Sequence, residues 1–125
     1  MDSDFLSLSY VTEEKRKKEL FTKYADSYDR IVAQTSYYKK LVNNVIRNLQ
    51  SCKNVVDIGC GTGNITLRLA EAGVNVLAID NNEAMLAKAE EKIKQKKLNG
   101  KVEFLKQDIN KLDLDKGIFD GACMI

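Results

Sequence analysis

The sequence of 125 residues, with 44% hydrophobic and 30% charged side chains, has the composition of a single globular domain. It contains no apolar run near the roughly 20 residues that cross a bilayer, and its first residues lack the pattern of a secretory signal. The net charge of +2 is too small to indicate binding to nucleic acid or to a membrane. We therefore expect a cytoplasmic protein.

The residue types present argue against several kinds of site. The sequence has no histidine, and its three cysteines, Cys52, Cys60 and Cys123, lie far apart. A zinc site or a disulfide framework is therefore not expected. Nucleophiles activated by histidine are excluded, so that acid–base chemistry would depend on Asp, Glu, Tyr or Lys.

Two helices are predicted before the first strand. Thr12 is placed to cap the first helix, and the run Lys15-Arg16-Lys17-Lys18 is interpreted as its solvated surface, with a phosphate or lipid contact as the alternative. The apolar residues of this helix recur every three or four positions and form one face: Leu20, Phe21, Tyr24, Ala25, Tyr28, Ile31 and Val32. The tyrosines are expected in the core, although Tyr28 is also a candidate to face a ligand. The second helix is predicted over residues 36–50, with Ser36 as its cap.

Short apolar strands alternate with helices after residue 50. The strands are predicted over residues 54–58, 74–79, 102–106 and 118–125, and the helices between them over residues 64–72 and 82–97. Asn81 and Asn82 are placed to cap the latter helix, whose inner face is predicted to carry Ala84, Met85, Ala89 and Ile93. This alternation predicts an α/β fold, a Rossmann-like parallel sheet with flanking helices and right-handed crossovers.

A glycine-rich turn follows the first strand. Gly59, Gly61 and Gly63 leave the backbone free to approach a ligand, and the next helix directs its free N–H groups to the same place. A dinucleotide-binding turn would have glycine where Asn64 stands. Asp57 would repel a diphosphate, whereas it could pair with an amino group. The turn therefore favours an adenosine that carries an amino acid over one that carries a diphosphate.

Polar residues also follow the second and third strands, at the edge of a parallel sheet where ligands bind. Asp80 could accept hydrogen bonds from two ribose hydroxyls, each worth roughly 1.5–3 kcal/mol. Asp108 could accept from an adenine amino group, while the N–H of Ile109 donates to a ring nitrogen. A purely structural acid in a turn at the strand end is the alternative for Asp108.

In these motifs the chain resembles the class I S-adenosylmethionine-dependent methyltransferases. The resemblance covers about residues 20–125 and depends on four motifs in the expected order: Val55–Gly63, Asp80–Met85, Gln107–Ile109 and Phe119-Asp120. Residues 21–29 are similar to a segment that lies over the cofactor in small-molecule members, including quinone-type C-methyltransferases.

The resemblance implies S-adenosylmethionine as cofactor, S-adenosylhomocysteine as product and no metal. Asp57 and the glycine turn would hold the methionine moiety, and Asp80 the ribose. Asn81 and Met85 would flank the adenine, and Asp108 with Ile109 would contact its edge. The predicted cofactor-binding residues are Tyr28, Asp57, Gly59, Cys60, Gly61, Gly63, Asp80, Asn81, Met85, Asp108 and Ile109. A small molecule is the expected methyl acceptor, with RNA and protein left open.

The family's sheet has seven strands, and this sequence ends within the fourth. We therefore predict one domain over residues 1–125 that is incomplete at its C-terminus, with a helical cap over residues 1–50 and a Rossmann-like half over residues 51–125. No catalytic residue can be named, and such a fragment would transfer methyl groups poorly.

The exposed fourth strand is expected to pair with a second copy in a homo-oligomer. Two other functions stay open: a non-catalytic cofactor-binding or interaction module, and an NAD-dependent oxidoreductase, which Asp57 and Asn64 disfavour.

Overall fold

The computed structural model describes residues 15–16, 19–20, 23–114 and 117–124. The first helix, α1, is described over residues 23–30, and residues 15–16 and 19–20 are also helical. Three further helices follow: α2 (Ser36–Leu49), α3 (Asn64–Glu71) and α4 (Glu83–Gln95). Short 3-10 turns occupy Val32–Gln34 and Ile109–Lys111. The four strands are β1 (Asn54–Ile58), β2 (Asn75–Asp80), β3 (Val102–Lys106) and β4 (Gly121–Met124).

All four strands are parallel, and their order in the sheet is β3-β2-β1-β4. The chain therefore runs outward from β1 through β2 to β3 and then returns to the other side of β1. The order reverses between β1 and β4, and in such sheets ligands bind outside the carboxyl ends of the strands at this reversal. The arrangement confirms the predicted α/β, Rossmann-like fold.

The register assigns alternate residues of each strand to opposite faces of the sheet. One face packs on α2, α3 and α4, and its centre is the row that Val55, Val76 and Val102 form across three strands. These helices contribute buried apolar residues to the same core, among them Val42, Ile46, Ile65, Leu69 and Ile93. The glycine turn therefore leads from a strand whose three central residues are buried into a helix that is packed on the sheet.

The other face of the sheet is apolar but more open. The register aligns Met124, Ile58, Ile79 and Leu105 along it, and the two outer members, Met124 and Leu105, are exposed. A groove of about 810 Å³ lies on this face, and Leu114 and Ile118, from the described part of the connection between β3 and β4, line it together with the sheet.

Several predicted element ends were wrong by one or a few residues. Thr35, not Ser36, caps α2, because Thr35 has extended backbone angles and its hydroxyl accepts the N–H of Tyr38 at 3.3 Å. Asn82 caps α4 as predicted, with its side chain accepting the N–H of Met85 at 3.1 Å. The same helix ends at Gln95 because Lys97 adopts a left-handed φ of 58°.

The inner face of α4 also differs from the prediction at its first turn. Leu86 is buried together with Ala89 and Ile93, whereas Ala84 and Met85 are half-buried. Both sets of residues have helical spacing, and only the orientation of α4 on the sheet distinguishes them. β4 begins at Gly121 rather than at residue 118, since pairing with β1 starts opposite Val55.

The predicted apolar face of the first helix is mostly not part of the core. Helix α1 ends at residue 30, and of the apolar positions described, Ala25 is buried while Leu20, Tyr24 and Ile31 are more than half exposed. The predicted cap, Thr12, lies outside the described residues. None of the helices in the described ranges combines the length and the apolar content of a membrane span.

Candidate functional site

The three glycines of the turn have left-handed backbone angles, with φ of 70° at Gly59, 58° at Gly61 and 82° at Gly63. They serve two different purposes. A Cβ atom at Gly59 or Gly61 would meet nothing within 4 Å, so that the space in front of these residues is open. A Cβ atom at Gly63 would lie 2.8 Å from Cβ of Ala89, so this glycine allows α3 to start close against α4. The first two glycines therefore leave open space beside the turn, and the third is required by packing.

The turn is attached to the end of β2. The N–H groups of Gly59 and Cys60 both donate to the carbonyl of Ile79, at 2.8 and 2.9 Å. The Asp80 carboxylate accepts the N–H of Gly61 at 2.9 Å and, with its other oxygen, the N–H of Asn82 at 2.9 Å. Each carboxylate oxygen has a second lone pair, which leaves Asp80 able to accept from a ligand hydroxyl.

A cavity of about 140 Å³ lies at the carboxyl ends of the strands. Four residues that were predicted to bind the cofactor line it: Gly59, Asp80, Asn81 and Ile109. Three residues that were not predicted as site residues complete its wall: Ile58, Ile79 and Gln107. The alternation along β1 and β2 could have identified Ile58 and Ile79, which share the open face of the sheet. The larger groove on that face includes Asn54 and Asn75 at the amino ends of the strands, away from the glycine turn.

Asp57 is buried behind the turn and is only 3% exposed. Its carboxylate accepts the hydroxyl of Thr66 at 2.7 Å and the thiol of Cys123 at 3.5 Å. Burial raises the pKa of this carboxyl, and these two hydrogen bonds only partly oppose the effect. The described contacts of Asp57 are thus to the protein core, and its contact with a methionine moiety stays a prediction.

The two cysteines near Asp57 are not activated as nucleophiles. Burial raises the pKa of the Cys60 thiol, and the Asp57 carboxylate raises it further. Burial and the same carboxylate raise the pKa of Cys123 to about 12. Since the thiolate is the nucleophilic form, these raised pKa values make both thiols less nucleophilic at neutral pH than an exposed cysteine.

Three other predicted residues lie outside the cavity wall. Asp108 accepts the N–H of Asn110 at 2.9 Å and caps the 3-10 turn, which is the structural role given as its alternative. Met85 is half-buried in the first turn of α4. Tyr28 packs edge-on against Tyr38, with 5.8 Å between the ring centroids, and burial raises the pKa of its hydroxyl. Their contacts with a cofactor stay predictions.

A polar cluster that the sequence did not indicate lies behind the turn. The Asp29 carboxylate of α1 accepts the hydroxyl of Thr62 at 2.6 Å, and its other oxygen lies 2.8 Å from the Lys92 ammonium of α4. Lys92 also donates to Asn64 at 2.8 Å. No spacing rule links these residues, because the fold brings them together from separate helices and the glycine turn.

Residues 55–125 match the family model of the methyltransferase domain. The chain belongs to the class I S-adenosylmethionine-dependent methyltransferase family. The match begins at the second residue of β1 and includes the glycine turn, Asp80 and Asp108, so that the resemblance predicted from the motifs is confirmed.

Relatives and solved structures agree with this assignment. The Bacillus subtilis protein YqeM, provisionally named a methyltransferase, is 31% identical over 103 residues, covering 82% of this chain and 40% of that protein. The demethylmenaquinone methyltransferase of Leptospira interrogans is 33% identical over 103 residues, covering 76% of this chain and 41% of the relative. The crystal structure of an S-adenosylmethionine-dependent methyltransferase from Clostridium acetobutylicum superposes with a TM-score of 0.64 at 30% identity, covering 84% of this chain and 43% of that one. The chain thus spans about 40% of the length of these two curated relatives.

Proposed function

We propose that the chain binds S-adenosylmethionine and takes part in methyl transfer to a small molecule. The observation that carries this proposal is the glycine turn, which leaves open space in front of Gly59 and Gly61 and is held by the acid that ends β2, Asp80. The adjoining cavity offers both a carboxylate and apolar walls, as a nucleoside requires.

Different residues of the turn and of the strand ends would contact different parts of the cofactor. The second lone pairs of Asp80 would accept the ribose hydroxyls, and the side chains of Asn81, Ile79 and Ile109 would enclose the adenine. The buried charge of Asp57 would favour an amino-bearing group near the turn. When bound, the cofactor supplies an electrophilic methyl group on a sulfonium sulfur. Since this chemistry resides in the cofactor, the protein's contribution is chiefly to bind and orient it.

The proposal of a small acceptor is supported by the names of relatives. The Leptospira relative is named for demethylmenaquinone, and a yeast relative, 36% identical over 72 residues, is named a sterol 24-C-methyltransferase. Both names describe small lipophilic molecules. We therefore propose an apolar small molecule as the acceptor class for the protein to which this sequence belongs.

We also propose that copies of this chain associate through the outer edge of β4. In the described ranges no strand pairs with that edge, and Met124 beside it is 66% exposed. An unpaired strand edge presents backbone N–H and C=O groups that a second chain can bind.

The first prediction concerns Asp80→Ala. Titration calorimetry should find that this variant binds S-adenosylmethionine roughly 10- to 100-fold more weakly than the wild type, because it loses hydrogen bonds worth about 1.5–3 kcal/mol each. The matched control is Asp120→Ala. Asp120 also accepts backbone N–H groups, those of Lys53 and Asn54, but does so at the amino ends of the strands.

Three outcomes would contradict the proposed function. The first is a wild type that shows no heat of binding with S-adenosylmethionine but responds to NAD, which would indicate the dinucleotide alternative. Asp80→Ala could bind as tightly as the wild type, or Asp120→Ala could lose as much affinity as Asp80→Ala. Binding without any turnover in the complete gene product would instead indicate a non-catalytic module.

A further inference from the structure

We propose that Asp29 is a positioning residue for the cofactor site, which holds the glycine turn in its binding conformation through Thr62 and Lys92. The proposal deepens the proposed function and depends on it where cofactor affinity is measured. Asp29 lies outside the wall of the cavity and acts through the turn.

The contacts of Asp29 join α1 to the middle of the turn. Its carboxylate accepts the Thr62 hydroxyl at 2.6 Å, and Thr62 is only 1% exposed, between Gly61 and Gly63. The ammonium of Lys92 lies 2.8 Å from the second carboxylate oxygen, and both side chains of this ion pair are less than one-fifth exposed. A short hydrogen bond to an ionised acceptor is about twice as strong as one between neutral groups.

The turn needs such a restraint because its own sequence leaves it flexible. Glycine populates left-handed and right-handed backbone angles about equally, so that Gly61 and Gly63 do not by themselves select their observed conformations. Thr62 is the residue between them, and its side chain is buried in this contact. Asp29 holds Thr62 on one side of Gly61, and Asp80 accepts the Gly61 N–H on the other side at 2.9 Å, so that the two contacts together restrain the backbone of Gly61.

Lys92 provides the balancing charge. It also donates to Asn64, the first residue of α3, at 2.8 Å, so that the ion pair connects α1, α4 and the start of α3. A half-buried carboxylate without its partner would be costly, and breaking such a pair from one side is usually strongly destabilising. The cluster is thus a single unit whose parts are expected to lose their effect together.

Helix α1 carries a natural control for this contact. Asp26 lies one turn before Asp29 and forms an ion pair with Lys88 of α4 at 3.3 Å. Its side chain is 55% exposed, and none of its described contacts reaches the glycine turn. Asp26→Asn therefore removes an acid–lysine pair between the same two helices without touching Thr62.

The test compares Asp29→Asn with Asp26→Asn in the full chain. Calorimetry should find the dissociation constant for S-adenosylmethionine raised about tenfold by Asp29→Asn and less than twofold by Asp26→Asn, since Asp29→Asn removes the ionised acceptor of the Thr62 hydroxyl and the charge that pairs with Lys92. Amide hydrogen exchange without ligand should be faster at residues 61–63 in Asp29→Asn and unchanged there in Asp26→Asn.

A second pair of variants tests the link to the turn itself. Thr62→Val should weaken binding as much as Asp29→Asn, the double variant should be no weaker than either, and Thr62→Ser, which keeps the hydroxyl, should restore affinity. If Asp29→Asn does not fold, as judged by circular dichroism, the Thr62 variants alone decide the outcome.

The inference is overturned if Thr62→Val binds as tightly as the wild type, or if Asp26→Asn weakens binding as much as Asp29→Asn. If the wild type does not bind S-adenosylmethionine, the proposed function fails, and the exchange experiment still decides this inference. Equal exchange at residues 61–63 in the wild type and in Asp29→Asn or Thr62→Val would then refute it.

Discussion

Burial and ligand binding favour opposite protonation states of the Asp57 carboxyl. Its position near the carboxyl end of β1 leaves it only 3% exposed, and this burial raises the pKa of the carboxyl. A ligand with an amino group would require the ionised form. Thr66 and Cys123 reduce the cost by donating to the two oxygens. The residue is therefore expected to favour binding at the expense of stability.

Asp57→Asn should separate these two effects. Because the folded state holds the proton of Asp57 more strongly than the unfolded state does, the wild type loses stability as the pH rises above about 4, the ordinary pKa of aspartate. Asparagine does not ionise. The variant should therefore gain stability relative to the wild type between pH 4 and pH 8, while it binds S-adenosylmethionine more weakly. Thermal unfolding followed by circular dichroism across this range measures the difference, and a difference that does not change with pH would contradict the account.

The glycine turn, as an element, requires residues without a side chain, and the reason differs from one glycine to another. Gly59 leaves room on the ligand side, whereas Gly63 leaves room for Ala89 on the protein side. The spacing of the glycines predicted a turn between β1 and α3, and its binding role stays a prediction. It could not distinguish the glycine that faces the site from the one that allows helix packing.

Gly59→Ala and Gly63→Ala should therefore fail in different ways. Both place a Cβ atom on a left-handed backbone, which costs roughly 1–2 kcal/mol. Gly63→Ala adds overpacking against Ala89, for a total loss of about 2–5 kcal/mol in the free energy of unfolding. Gly59→Ala should retain more stability but lose cofactor affinity. Urea unfolding and calorimetry on both variants test this, and equal stability losses would show that the contact with Ala89 relaxes at little cost.

For the whole molecule, the sheet has one face covered by helices and a second face that is buried at Val56 and Ile79 but exposed on the outer strands. The open face carries Met124 next to the unpaired edge of β4 and Leu105 near the edge of β3. Exposed apolar strands at an edge favour association with another chain.

We expect light scattering to give the 125-residue chain a mass of about twice its 14.1 kDa. Met124→Lys should shift the chain toward monomer, because a charge beside a strand edge opposes pairing. Ala87→Lys, on the exposed surface of α4, is the matched control and should leave the mass unchanged. A wild-type chain that stays monomeric at all concentrations would exclude association through β4.

The sequence by itself determined the features that depend on neighbouring residues. Strand and helix periodicity located β1 and β3 with their observed bounds, and the glycines with Asp57 and Asp80 identified the family. These signals are local because hydrogen-bonded elements and turns are built from residues close in the chain.

Tertiary structure alone decided which side chains meet across elements. Three contacts join separate elements in this way. Asp29 contacts Thr62 and Lys92, and Cys123 donates to Asp57. Gly63 lies close against Ala89. The exposure of the first helix's apolar face was likewise decided by how α1 lies on the rest of the protein. No periodicity encodes such partners, because packing orientation selects among several helical faces and rotamers that the sequence permits equally.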